Sequence, residues 1–163
     1  MLYIVEGIDK CGKSTFIDRQ DITHHCEGIN EFMHLAKHLE SGYRVAVHFS
    51  SYDITPLESL RMCCAFSHIC DIFMDRSWIS DMVYGPVYRG EIRLEPRDEQ
   101  YIIGMLQETP HIVYYFDKQI GTPDIKDEFE KDDEKMQLVK TRYKQIIGRY
   151  KKTLNIYHVE AMI

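Results

Sequence analysis

Apolar residues fall along this chain in short runs, separated by stretches in which they recur at helical spacing. Leu2 to Val5 is an apolar, partly β-branched run ending in Glu6-Gly7, the pattern of a buried strand. Lys13 to Arg19 opens a helix. Asn30 is expected to cap a second helix, because Phe32, Leu35, Ala36 and Leu39 follow at helical spacing and Gly42 ends the pattern. Tyr43 to Phe49 reads as a second strand. Pro56 stands at the first turn of a helix reaching about Ser67, and Ile69 to Met74 is a third strand ending in Asp75-Arg76. Trp78 to Tyr88 reads as helical with a break at Gly85-Pro86, and Pro96 to Gln107 as a helix closed by Thr109-Pro110. His111 to Phe116 is a fourth strand. A long helix from about Asp132 to Lys152 precedes a last strand, Leu154 to Val159.

Strands alternating with helices throughout predict an α/β fold: a doubly wound, parallel, five-stranded sheet with helices on both faces. The 163 residues fit one domain around one core, and no repeat, linker or low-complexity tract divides them. The longest apolar runs, such as Ile112 to Phe116, are strand-sized and far short of the roughly 20 residues of a spanning helix. No basic region followed by an apolar stretch opens the chain, so a secretory signal is not expected. The five cysteines (Cys11, Cys26, Cys63, Cys64, Cys70) form no regular framework and no CxxC pair, which fits thiols in a reducing cytoplasm. His24, His25 and Cys26 are adjacent and therefore poorly arranged to share a metal ion. The net charge of −6 argues against broad nucleic-acid binding. Asp124 to Glu134 holds seven acids and two lysines, so the rest is nearly neutral and a local basic groove stays open.

One motif changes the picture. Gly7-Ile8-Asp9-Lys10-Cys11-Gly12-Lys13-Ser14 satisfies G-x-x-x-x-G-K-[ST] at every fixed position, between a buried strand and a helix. Glycines there let successive backbone N–H groups of the loop, Lys10 to Thr15, face a β-phosphate, and the following helix points its positive end at it. Lys13 would reach the β- and γ-phosphates of ATP, and the Ser14 hydroxyl would ligate Mg²⁺. No N-K-x-D guanine motif accompanies the loop, and the chain is too short for a motor apparatus. A small kinase is what remains.

Asp75-Arg76 follows the third strand, whose carboxyl end should share a crevice with the phosphate loop. An aspartate there can hold magnesium, and an arginine can clamp phosphate oxygens of donor or acceptor. Tyr84, Tyr88 and Arg89 recur at helical spacing beyond it, either as core or as a base-stacking wall.

Glu6 to Thr15 resembles the phosphate loop of thymidylate kinases, and Asp75-Arg76 with Ser80 and Tyr84 resembles that family's D-R-x-x-x-S-x-x-[AV]-[FY] segment. The long helix carrying Tyr143 is similar to the helix behind the family's lid. The resemblance implies that Asp9 approaches the substrate sugar and the magnesium shell. It implies that Lys10 stands where one subgroup carries a catalytic arginine, that Arg76 contacts the acceptor phosphate, and that Tyr84 lies beside the base. A lid is expected at about 118–131; it contains no arginine, as in the subgroup with a basic residue at the position of Lys10. The chain is shorter than the family between the second and third strands, where thymidylate kinases supply a stacking phenylalanine and a base-binding arginine. Phe49, Phe66 and Arg61 are the residues available nearby.

The acceptor divides the expectations. A nucleotide acceptor, a pyrimidine deoxynucleoside monophosphate by resemblance, already carries a nucleophilic oxygen and needs no strong base. A hydroxyl acceptor needs a carboxylate, and Asp53 lies where deoxynucleoside kinases of related fold place one. Such a hydroxyl kinase would act on a deoxynucleoside or, as in virus-encoded relatives working in a host cytoplasm, on 5-hydroxymethyluracil-type bases in DNA. A non-catalytic nucleotide-binding module is the third reading. A second copy of the chain is the one protein partner left open, and no membrane partner is expected.

Overall fold

In the computed structural model, residues 1–50, 52–117 and 133–160 are described. The strands are β1 (Leu2–Gly7), β2 (His24–Glu27), β3 (Arg44–His48), β4 (Asp71–Asp75), β5 (His111–Phe116) and β6 (Ile156–Val159). Between them run α1 (Lys13–Asp18), α2 (Ile29–Ala36), α3 (Pro56–Phe66), α4 (Trp78–Tyr84), α5 (Pro96–Gln107) and α6 (Asp133–Tyr150), with one π-helical turn, Gly85–Arg89, continuing α4. All six strands join one parallel sheet in the order β2-β3-β4-β1-β5-β6. β1 and β4 lie inside it, and Leu2, Ile4, Val5, Ile72, Phe73 and Met74 are almost wholly excluded from solvent, as strands covered on both faces require.

Two sequence expectations are corrected here. The sheet has six strands rather than five. The additional one, β2, is a four-residue edge strand in which only Cys26 is buried, so it shows no apolar run. The helix after it is capped at Gly28 rather than Asn30, with Gly28 at φ 88° where β2 turns into α2.

Adjacent residues of β5 show how the two faces are covered. Tyr114 packs against Phe16 of α1, ring centroids 4.7 Å apart, whereas Tyr115 packs against Tyr143 of α6 at 5.7 Å. Neighbouring strand residues point to opposite faces, so α1 and α6 sandwich the sheet. α6 buries Met136, Val139, Tyr143, Ile146, Ile147 and Tyr150, a stripe at three- and four-residue spacing. Trp78 of α4 is fully buried; its indole N–H donates to Tyr150 Oη at 3.2 Å, and that hydroxyl donates to Glu99 of α5 at 2.7 Å. This chain of contacts fixes α4, α5 and α6 relative to one another. No helix among the described residues is long and apolar enough to cross a membrane.

Candidate active site

β1 delivers the Gly7–Ser14 loop at the carboxyl edge of the sheet. The loop turns through positive φ at Gly7 (149°), Lys10 (58°) and Gly12 (97°). A Cβ at Gly7 would stand 2.3 Å from the Phe116 carbonyl oxygen, so the close approach of β5 admits only glycine. Lys13 begins α1, and its ammonium donates to the carbonyls of Gly7 at 3.2 Å and Ile8 at 3.1 Å. Burial, and next the positive charge of Arg76, lower its pKa. Cys11 lies buried with its sulfur 3.6 Å from that ammonium, Lys10 is exposed, and Ser14 and Thr15 are exposed on the first turn of α1.

Asp75 ends β4. Its Oδ2 lies 3.7 Å from Nδ1 of His48, the last residue of β3, and its Oδ1 is buried without a hydrogen bond. Burial pushes its carboxyl up, but His48, Lys13 and Arg76 together outweigh that and hold it below the ordinary range. Asp75 and Ser14 face the same small hollow of about 150 Å³. An orphaned carboxylate oxygen beside a hydroxyl is an all-oxygen donor set that fits Mg²⁺.

Arg76 has a left-handed backbone, φ 73°, unusual for a residue with a side chain. Its amide donates to the Val5 carbonyl at 3.0 Å, which holds the turn against β1. The guanidinium pairs with Asp9, lies 5.0 Å from the Tyr84 ring centroid, and donates to Gly7 O (3.2 Å), Ser80 Oγ (3.2 Å) and Tyr143 Oη (3.3 Å).

Beside Arg76 opens a cavity of about 800 Å³, a volume ordinary for a nucleotide-sized ligand. Asp9, Phe49, Arg76, Tyr84, Tyr88 and Arg89 all line it, so the structure brings together six residues singled out from the sequence. Tyr84 and Tyr88 stack with centroids 6.0 Å apart, and the Lys135 ammonium lies 5.3 Å from the Tyr88 ring. Arg89 pairs with Asp81, a carboxylate only 4% exposed whose other oxygen accepts the Arg93 amide at 2.7 Å. The π-helical turn makes this reach possible: a Cβ on Gly85 would meet the Glu91 carbonyl oxygen at 2.2 Å.

Three other residues singled out from the sequence lie elsewhere. Asp53 does not line the cavity. It is exposed in the turn closed by its amide on Ser50 O at 3.1 Å, with its carboxylate toward Gly28. The cap of α3 is Thr55, which accepts the Glu58 amide. Arg61 pairs with Glu58 on the surface, and Phe66 packs on Phe32 in the core at 5.4 Å. The expected lid at about 118–131 lies outside the described residues.

Sequence reasoning passed over His48, Tyr52, Asp81 and Lys135, which also line the cavity, as does Ser80 of the Asp75–Tyr84 segment, and it gave no role to Glu6 behind Arg76. Glu6 carried the one available signal: an acid closing an otherwise apolar buried strand needs partners.

Solved structures of similar fold are nucleotide-handling proteins. The YorR protein of Bacillus subtilis, in complex with phosphorylated GDP, aligns over 98% of this chain and 85% of its own, at a TM-score of 0.63 and 18% identity. Deoxyadenosine kinase from M. mycoides, with the products dCMP and dCDP, aligns over 98% and 90% at 0.52 and 14%. A thymidylate kinase from Ehrlichia chaffeensis, at 0.49 and 16%, is too loose a match to carry weight. No protein-family model and no curated protein sequence matches the chain. The chain therefore has a P-loop kinase-like fold, an α/β parallel sheet flanked by helices, similar to the folds of the YorR protein and of deoxyadenosine kinase.

Proposed function

We propose that this protein is an ATP-dependent phosphotransferase that phosphorylates a deoxynucleoside monophosphate, a pyrimidine one on the strength of its thymidylate kinase-like motifs. The observation that carries this reading is the charge on the cavity wall. Arg76, Arg89 and Lys135 line it, as does His48, whose pKa is raised mainly by Asp75. The two carboxylates on the wall, Asp9 and Asp81, are each paired with an arginine. Such a wall attracts a phosphate, and among the described lining residues no carboxylate is left to deprotonate a hydroxyl.

In this reading ATP lies with its phosphates in the Gly7–Ser14 loop, where Lys13 exchanges the Gly7 and Ile8 carbonyls for β- and γ-phosphate oxygens. Ser14 and Asp75 are the residues that would hold Mg²⁺, which when bound neutralises charge on the β- and γ-phosphates. Tyr84 and Tyr88 form the aromatic wall beside the base. Arg76, still held by Asp9, clamps the acceptor phosphate and follows the transferring group, while Asp9 approaches the sugar. Lys10, at the outer curve of the loop, stands in for the arginine that the lid's composition lacks. Catalysis by such a site is positioning and charge stabilisation, with no covalent intermediate.

A screen with γ-labelled ATP tests the proposal against nucleoside monophosphates, free deoxynucleosides and DNA containing 5-hydroxymethylpyrimidines. Label should appear in a diphosphate. Transfer confined to nucleosides or DNA would move the assignment to a hydroxyl kinase, and nucleotide binding without any transfer would reduce it to a binding module.

A further inference from the structure

Glu6 is wholly buried at the carboxyl end of β1 and touches neither cavity. Its Oε1 accepts Ser77 N at 2.7 Å, Ser77 Oγ at 2.6 Å and Ser80 N at 3.2 Å. Its Oε2 accepts Ser80 Oγ at 2.7 Å and Tyr143 Oη at 3.0 Å. Five donors converge on one carboxylate, which is what a buried acid needs to be tolerated. The same two hydroxyls that face Oε2 are those that receive Arg76 Nη1, at 3.2 and 3.3 Å.

We infer that Glu6 is a positioning residue for Arg76 and acts by fixing the polarity of these hydroxyls. A carboxylate only accepts, so Ser80 and Tyr143 direct their protons to Glu6 and leave lone pairs for the guanidinium, which only donates. The three N-terminal donors on Oε1 also anchor the Ser77–Ser80 turn, and with it the left-handed backbone of Arg76. The inference deepens the proposed function, since it rests on Arg76 holding the acceptor phosphate.

Glu6→Gln is the informative change. Oε1 faces two backbone amides that cannot reverse, so the glutamine must keep its oxygen there and place its NH₂ where Oε2 was. The hydroxyls then turn to accept from that NH₂, which takes lone pairs from Arg76; the Tyr143 proton turns to the Gly7 carbonyl, 3.2 Å away, and the Ser80 proton to Tyr143 or toward Arg76. The expected result is a loss in kcat of about tenfold to a hundredfold, the usual scale for an outer-shell partner, with the KM for ATP within twofold of wild type. The Ser80→Ala/Tyr143→Phe double variant leaves Glu6 in place and removes the relay; it should reproduce the defect, and adding Glu6→Gln to it should cost little more.

A second readout does not need activity. In the ¹⁵N-labelled protein the Arg76 guanidinium should give resolved, slowly exchanging signals, lost in Glu6→Gln and in the double variant while the backbone amide spectrum persists. Sharp Arg76 signals in the folded variants would overturn the inference. So would equal loss of ATP and acceptor affinity, which marks a merely structural role. Absence of transfer to any monophosphate by the wild type would instead count against the proposed function, and the guanidinium signals would still decide the role of Glu6.

Discussion

At the scale of single residues the site rests on a few cations held by local geometry. Lys13 bonds to two carbonyls and the Cys11 thiol, all within its own loop, so removing it should take away a phosphate clamp and little packing. Lys13→Ala should lower transfer by about 10²–10³-fold or more with the melting temperature nearly unchanged; activity within tenfold of wild type would contradict a kinase. Asp53 gives the opposite expectation. It is exposed and off the cavity wall, so Asp53→Asn should leave kcat/KM within about twofold, against the loss of ~10²–10⁴ expected for a general base. The loop was legible in the sequence because its chemistry fixes the spacing of Gly7, Gly12, Lys13 and Ser14. The role of Glu6 was not, because its partners Ser77, Ser80 and Tyr143 are gathered from distant parts of the chain only by folding.

At the scale of elements, the π-helical turn after α4 shapes the cavity wall proposed to hold the acceptor. Gly85→Ala forces a Cβ against the Glu91 carbonyl, and the Arg89 guanidinium, 3.0 Å from that position, must move as well. The variant should lose about 1–3 kcal/mol of stability by overpacking. It should raise the KM for the monophosphate while leaving that for ATP alone; equal changes in both would show that the turn does not serve the acceptor. The ends of β3 and β4 make a second test. Asp75 raises the pKa of His48, so this contribution is complete below the unfolded histidine value of 6.5 and is lost as pH rises through the higher folded value. Asp75 is shifted the other way, so its share is present above 3.8 and is lost as pH falls through a still lower folded value. Denaturant unfolding of the ligand-free protein should therefore weaken on both sides of this window, and His48→Ala should flatten the decline above about pH 6.5; an unchanged alkaline limb would exclude the pair as its cause. Elements with a continuous apolar run or a long stripe, such as β1, β5 and α6, were legible from pattern. β2 was not, since an exposed edge strand with one buried residue is specified by its pairing to β3 rather than by its own composition.

At the scale of the molecule, the parallel order of the sheet brings the carboxyl ends of β3, β4 and β1 to one rim, where the Gly7–Ser14 loop, Asp75 and the large cavity meet. The fold class followed from the alternation of strands and helices. The acceptor proposed above did not, because the charge of the cavity wall depends on which acids are paired, and pairing such as Arg76 with Asp9 or Arg89 with Asp81 is set by tertiary geometry. The central claim is that an ATP phosphate chain and a monophosphate end to end span this rim. Its most direct test is the affinity for a bisubstrate, adenosine and deoxythymidine joined through five phosphates, measured by calorimetry in the presence of Mg²⁺. Joining two occupied subsites should make it bind at least about a hundredfold more tightly than ATP alone, with the gain lost in Arg76→Ala; binding no tighter than ATP would contradict the account.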